Sequence, residues 1–99
     1  MGSDKLTKAE IVASIHTALG TSKRDIQNTI ELFYEAVKEG LIDGRKVELR
    51  GFGTFEIKRR KGRTARNPKT GKQVEVSTHG VAVFRPGSEL KRQVWNLRE

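Results

Sequence analysis

Eight cationic side chains, Lys58, Arg59, Arg60, Lys61, Arg63, Arg66, Lys69 and Lys72, fall between Lys58 and Gln73 with no Asp or Glu among them. Lys and Arg neutralise phosphates and release condensed counterions, a term that gives affinity for a polyanion without reading its sequence. At the centre of the run stands Arg66-Asn67-Pro68-Lys69-Thr70-Gly71. Pro68 has a rigid apolar ring and no amide hydrogen. At an exposed tip it acts either as a turn former or as a wedge between base steps, where unstacking costs a few kcal/mol and the resulting bend brings more phosphate to the protein. Local sequence alone favours the turn former. At roughly 3.3 Å per residue, a ribbon of ten residues from Lys58 to Asn67 reaches roughly 33 Å, enough to follow a groove. A solvated basic loop that binds nothing is the competing reading.

The formal charge of +8 is unevenly spread. Residues 1–44 hold five basic and seven acidic side chains, residues 45–85 twelve and three, and residues 86–99 three and two. Positive charge confined to the middle argues for a dedicated binding element rather than a uniformly basic surface. Nucleic acid is the partner this favours. An anionic membrane fits less well, because the basic run lacks the Leu, Trp or Phe face of an interfacial helix. No run of about 18 apolar residues and no apolar segment of signal-peptide length occurs, so the expectation is a soluble, intracellular protein with no membrane partner.

Other reactive residue types offer little. There is no Cys, and His16 and His79 are far apart with no carboxylate at ligand spacing, so neither a metal nor a cofactor is expected. Gly51-Phe52-Gly53 lacks the Lys and the following helix of a phosphate-binding loop. No nucleophile and base come together, and an enzyme is disfavoured. Trp95 is spaced from Leu90 and Val94 as a packing or dimer-contact residue, although a base-stacking role is chemically open to it.

The elements that must carry the basic run are legible from periodicity. Thr7-Lys8-Ala9-Glu10 has capping-box spacing, Ile11, Val12, Ile15, Ala18 and Leu19 follow at helical spacing, and Gly20 is placed as a stop, which predicts a helix over about 8–19. Thr21 or Ser22 caps a second helix with the stripe Ile26, Ile30, Phe33, Tyr34, Val37 and Leu41. After Asp43-Gly44, residues 45–50 and 54–58 alternate polar and apolar as half-buried strands do, joined tightly at Gly51-Phe52-Gly53. The alternation resumes at 73–77, and 81–85 reads as a returning strand that Pro86-Gly87 ends. Ser88 is placed to cap a last helix carrying Leu90, Val94, Trp95 and Leu97. The expected fold is α+β: a helical base over about 6–42, a three-stranded antiparallel sheet with an extended β-arm over about 45–85, and a C-terminal helix over about 88–97, all in one domain spanning 1–99. A core drawn from 34% hydrophobic residues is marginal once a solvated arm is subtracted, and association with a second chain would relieve that shortage.

Gly51-Phe52-Gly53-Thr54-Phe55, Ala65-Arg66-Asn67-Pro68-Lys69-Thr70-Gly71, and Phe84-Arg85-Pro86-Gly87 with Leu90-Lys91 occur in this order and spacing. In this the chain resembles the HU/IHF family of bacterial DNA-bending proteins, over essentially residues 6–97. The resemblance implies an intertwined dimer, with itself or with a paralogous subunit. In it, two β-arms embrace double-stranded DNA through the minor groove, bending and compacting it in the bacterial nucleoid of the cytoplasm. By motif, Pro68 is similar to the intercalating proline, and Arg66 and Asn67 to tip contacts. Arg85 joins Lys58, Arg59, Arg60, Lys61, Arg63, Lys69 and Lys72 as DNA-binding, and Phe52, Phe55 and Phe84 form a shared aromatic core. Extra N-terminal residues and a longer last helix ending Val94-Trp95-Asn96-Leu97-Arg98-Glu99 set this chain apart from shorter HU-type sequences. Phe84-Arg85-Pro86-Gly87 lies nearer the IHF side, so sequence-selective bending stands beside nonspecific compaction. A basic hairpin that binds RNA or a ribosome is a further alternative.

Overall fold

The computed structural model describes residues 5–97. Its elements run α1 (Lys8–Leu19), α2 (Lys23–Ile42), β1 (Val47–Leu49), β2 (Gly53–Arg60), β3 (Arg63–Arg66), β4 (Gln73–Val76), β5 (His79–Pro86) and α3 (Ser88–Val94). Contacts within the chain fall into two compact units, Met1–Lys38 and Glu39–Glu99, with the division inside α2.

In the first unit both reciprocal bonds of the capping box are made: the Glu10 amide donates to Thr7 Oγ1 at 3.3 Å and the Thr7 amide to Glu10 Oε1 at 2.9 Å. Gly20 closes α1 in a left-handed conformation, φ 76°. Of the two candidate caps for α2, Ser22 takes the role, its Oγ accepting from the Asp25 amide at 3.1 Å, while the Thr21 carbonyl lies 2.7 Å from His16 Nδ1. Lys8 pairs with Glu31 across the two helices, and that hydrogen bond holds the Lys8 ammonium above its ordinary pKa.

In the second unit β2 is the central strand of a three-stranded antiparallel sheet ordered β1-β2-β5, and β3 and β4 form a separate two-stranded ladder. β1 is shorter than the alternation over 45–50 suggests, because each end is recruited elsewhere. The Arg45 amide bonds the Gly40 carbonyl at 2.9 Å, and Arg50 lies in the turn closed by Phe52 N–H to the Leu49 carbonyl, also 2.9 Å. One register runs the full hairpin. Gly53 pairs with Pro86, Arg60 with His79, then Arg63 with Val76 and Arg66 with Gln73, so the two residues skipped on each side interrupt the ladder without slipping it. At the interruption the Gly62 amide bonds Thr78 Oγ1 at 2.9 Å.

The last helix departs from expectation at both ends. Gly87 is its N-cap, with no side-chain cap bond, and the Gly87 amide is itself held by the Phe52 carbonyl at 2.8 Å. Ser88 is therefore already inside the helix. The helix stops at Val94, after which Trp95 and Leu97 donate to carbonyls three residues back. Seven residues make a marginal helix, and Val94, Trp95 and Leu97 are 42%, 75% and 74% exposed. Trp95 lines an open cleft with Ser88, Lys91, Arg92 and Asn96 and is otherwise in solvent; Arg98 and Glu99 lie outside the described residues.

Among the described residues only Val12 and Ile26 are buried hydrophobics, whereas Phe33, Phe52 and Phe84 remain 47%, 47% and 37% exposed. A chain ordered along this much of its length does not hold itself together on two buried aliphatics, and association with a second chain would relieve that shortage. The expected outcome is a midpoint of thermal unfolding that rises by roughly 3–6 °C per tenfold increase in protein concentration, measured by circular dichroism. A concentration-independent midpoint, with a folded monomer in sedimentation equilibrium at micromolar concentration, would contradict it.

Candidate nucleic-acid interface

Strand alternation sorts the second unit's side chains onto two faces with different chemistry. On one face Phe55 pairs across the strands with Phe84, Val47 with Phe55, and Ile57 with Ala82. Phe52 joins them: ring centroids are 5.0 Å apart for Phe52 and Phe84, 4.9 Å for Phe55 and Phe84 and 6.4 Å for Phe52 and Phe55, all tilted. Such pairs add about 0.5–1.5 kcal/mol each beyond area burial. The Phe84 ring lies on the backbone of Gly53, where a Cβ would stand 2.6 Å from two ring carbons, so only glycine fits. The three expected core aromatics are thus brought together as one half-covered cluster.

The opposite face is more polar and carries charges of both signs, with Glu48 standing across from Thr54. Thr54 pairs with Arg85, Glu56 with Val83, Lys58 with Val81 and Arg60 with His79. Lys46, next to β1, reaches the same face and stands 3.8 Å from Glu56. The two faces thus differ in chemistry, the first aromatic and apolar and the second polar.

Every predicted arm cation is solvent-exposed: Lys58, Arg59 and Arg60 before the interruption, Lys61 at it, and Arg63, Arg66, Lys69 and Lys72 past it. Arg63 and Ala65 share a side of the ribbon with Val76 and Val74, and Thr64 and Arg66 share the other with Glu75 and Gln73. Glu75 is the arm's acid, and Thr64 Oγ1 donates to it at 3.4 Å. With hardly any apolar contact to lean on, the arm is held by ladder hydrogen bonds.

The tip is more tightly tied than a solvated loop. The Asn67 amide bonds the Lys72 carbonyl at 2.8 Å and the Gly71 amide bonds the Asn67 carbonyl at 2.7 Å. Asn67 Oδ1 accepts from the Lys69 amide at 2.8 Å, and Arg66 Nη1 donates to the Gly71 carbonyl at 2.9 Å. Gly71 has φ 74°, a left-handed conformation that closes the turn. Asn67 and Arg66 therefore build the turn that carries Pro68, and Pro68 stands exposed on it. Its missing amide hydrogen leaves no donor unpaired at that position.

Arg85 sits away from the arm, at the root of the hairpin. Its Nε is 3.2 Å from Glu56 Oε2, and with Thr54, Pro86 and Lys91 it lines an open cleft of about 410 Å³. Sequence reasoning names Lys91 only as part of a motif and gives no site role to Lys46 or Glu56; the alternation that puts half-buried Val47 and Phe55 on one face puts Lys46 and Glu56 on the polar face, and that is the available signal. His16 and His79 are not brought together: each ring nitrogen Nδ1 lies 2.7 Å from a nearby backbone carbonyl, of Thr21 and Ser77. Among the described residues no cluster of His, Cys, Asp or Glu could hold a metal ion, and no helix is long and apolar enough to cross a membrane.

The second unit thus combines a two-faced sheet, an exposed cationic arm and a proline on a closed turn. Residues 6–95 match the bacterial DNA-binding protein family. The chain is 43% identical over 93 residues to integration host factor subunit alpha of Vibrio atlanticus, covering 94% of this chain and 95% of that protein, and 42% identical over 93 residues to the same subunit of Vibrio cholerae. Among solved structures it is similar to Anabaena HU cocrystallised with DNA, at 30% identity and a TM-score of 0.84, covering 93% of this chain and all of that one. An HU mutant from Thermotoga maritima is similar at 25% identity and a TM-score of 0.66. The chain belongs to the HU/IHF family of bacterial DNA-binding proteins. It is a non-enzymatic architectural DNA-binding protein with the α+β fold of that family, a fold in which two chains intertwine.

If the exposed arm cations carry the affinity, log Kd against log salt is steep, and replacing Arg59, Arg60 and Arg63 together by Ala flattens it by about 0.9 for each phosphate no longer neutralised. An unchanged slope in a fluorescence-anisotropy titration would move the binding face elsewhere.

Proposed function

We propose that this protein bends and compacts double-stranded DNA from the minor-groove side. Two chains pair through the Phe52, Phe55 and Phe84 faces and direct their arms along the groove. Lys58, Arg59, Arg60, Lys61, Arg63, Lys69 and Lys72 neutralise phosphates, Arg85 does so at the root, and Pro68 enters a base step as a wedge. The observation that carries this reading is Pro68 exposed on a turn fixed by Asn67, Arg66 and Gly71, at the end of a ribbon free of acids from Lys58 to Gln73. A wedge must be rigid before it meets the stack, because ordering it during insertion would add to the unstacking cost. The affinity is sequence-independent to first order, and the energy of deforming the duplex supplies what selectivity there is. Its place is the bacterial nucleoid, in the cytoplasm.

A sequence-selective bending factor is the second reading. The identity to integration host factor alpha subunits favours it, and with it a paralogous subunit in place of a second copy. Bend measurements over random, A-tract and nicked duplexes, with matched RNA as control, separate the two readings from each other and from an RNA-binding role.

Pro68→Ala keeps every charge of the arm and offers a smaller, less rigid group to insert. The expected outcome is a smaller bend at saturating protein, read by fluorescence transfer between duplex ends, with Kd at fixed salt much less affected. Equal loss of affinity and bend would make Pro68 a turn former only, and an unaltered bend at saturation would remove the wedge.

A further inference from the structure

Glu56 is a carboxylate in the middle of a face built to hold phosphates. It stands on the central strand β2 and is 7% exposed, the one buried polar or charged residue among those described. Arg85 Nε lies 3.2 Å from Oε2 on the β5 side and Lys46 Nζ 3.8 Å from Oε1 on the β1 side, and both cations keep most of their side chains in solvent. Oε2 has no aligned hydrogen bond, so the Arg85 contact is an ion pair at short range rather than a directed N–H···O bond. A buried acid on a DNA-facing surface opposes the partner's charge, and burial carries a desolvation penalty that an aliphatic residue would avoid. Its burial between two cations is consistent with a use.

We propose that Glu56 is a positioning residue of the interface, holding Arg85 and Lys46 over the polar face of the sheet so that their outer nitrogens form a preformed seat for a backbone phosphate of duplex DNA. This rests on the reading that the protein grips DNA with that face. A free arginine gives up rotamer freedom when it docks on a phosphate; an arginine already tethered at Nε has lost much of that freedom on folding and still presents its terminal nitrogens. Two cations flanking one carboxylate also stay close together, where without it they repel. Glu56 lies beneath both, so the phosphate meets a trio of net charge +1 with the cations outermost. The open cleft of about 410 Å³ lined by Thr54, Arg85, Pro86 and Lys91 adjoins Arg85 and adds a hydroxyl and a further ammonium to the same seat.

The test turns on sign. Glu56→Gln removes a negative charge from the face and nearly preserves shape. If Glu56 only repels DNA, binding tightens and the salt dependence stays as steep or becomes steeper. If it positions Arg85, binding weakens despite the gained charge, and the slope of log Kd against log salt shrinks by about 2, one phosphate in each of the two chains' seats. Arg85→Gln should shrink the slope by the same amount, and adding Glu56→Gln to it should change the slope no further. Additive losses in the double variant, or tighter binding by Glu56→Gln, overturn the proposal. Should Glu56→Gln fail to fold by circular dichroism, Glu56→Asp, which keeps the charge but withdraws it by one methylene, must show an intermediate loss of slope; a wild-type slope overturns the proposal equally. A wild-type protein that neither binds nor bends the duplex would refute the DNA reading itself, an outcome distinct from these.

Discussion

An aromatic sheet face that one chain cannot cover is the constraint on which the other features depend. Phe52, Phe55 and Phe84 stack at centroid distances of 5.0 and 4.9 Å around Phe84, yet two of the three rings stay more than a third exposed. Strand alternation makes the consequence strict. With a period of two, Phe55, Ile57 and Arg59 share one face of β2 and Glu56, Lys58 and Arg60 the other, and a slip of one residue would exchange the two sets. Burying the aromatic side against a second chain would leave the other side to solvent. The single register from Gly53 and Pro86 out to Arg66 and Gln73 carries the same alternation into the arm.

The arm illustrates a division of labour between rigidity and charge. Its cations are exposed, which suits counterion release because that term needs charge near phosphate rather than fixed geometry. Its tip is the reverse, with the turn around Pro68 tied by bonds from Asn67, Gly71 and the Arg66 side chain. The interruption at Lys61-Gly62 and Ser77-Thr78 separates the two-stranded ladder of the arm from the three-stranded sheet while keeping the register.

Much of this is legible in the sequence. The capping box at Thr7 and Glu10, the stop at Gly20 and the two alternating strands are local signals, and local physics decides them. What escapes a sequence reading is decided by tertiary contacts. Gly87 rather than Ser88 caps α3, because the Gly87 amide is held by the Phe52 carbonyl and that fixes where the helix begins. Val94 rather than Leu97 ends it, because periodicity promises an apolar face and cannot say whether this chain supplies a surface for it. Glu56 reads as a polar residue of an alternating strand; only the flanking Lys46 and Arg85 show that it is buried. Arg66 is legible as a cation but not as a staple for the tip, since its bond to the Gly71 carbonyl depends on the turn's closure.

The central claim is that the paired arms bend duplex DNA rather than only coat it. Ligase-mediated ring closure of a fragment of about 100 base pairs tests this most directly, because such a length is well below the persistence length of about 150 base pairs and closes poorly unaided. The account predicts that added protein raises the yield of monomeric circles strongly, at concentrations where two chains are bound per site. Binding of the fragment with no gain in circles over protein-free DNA would contradict it.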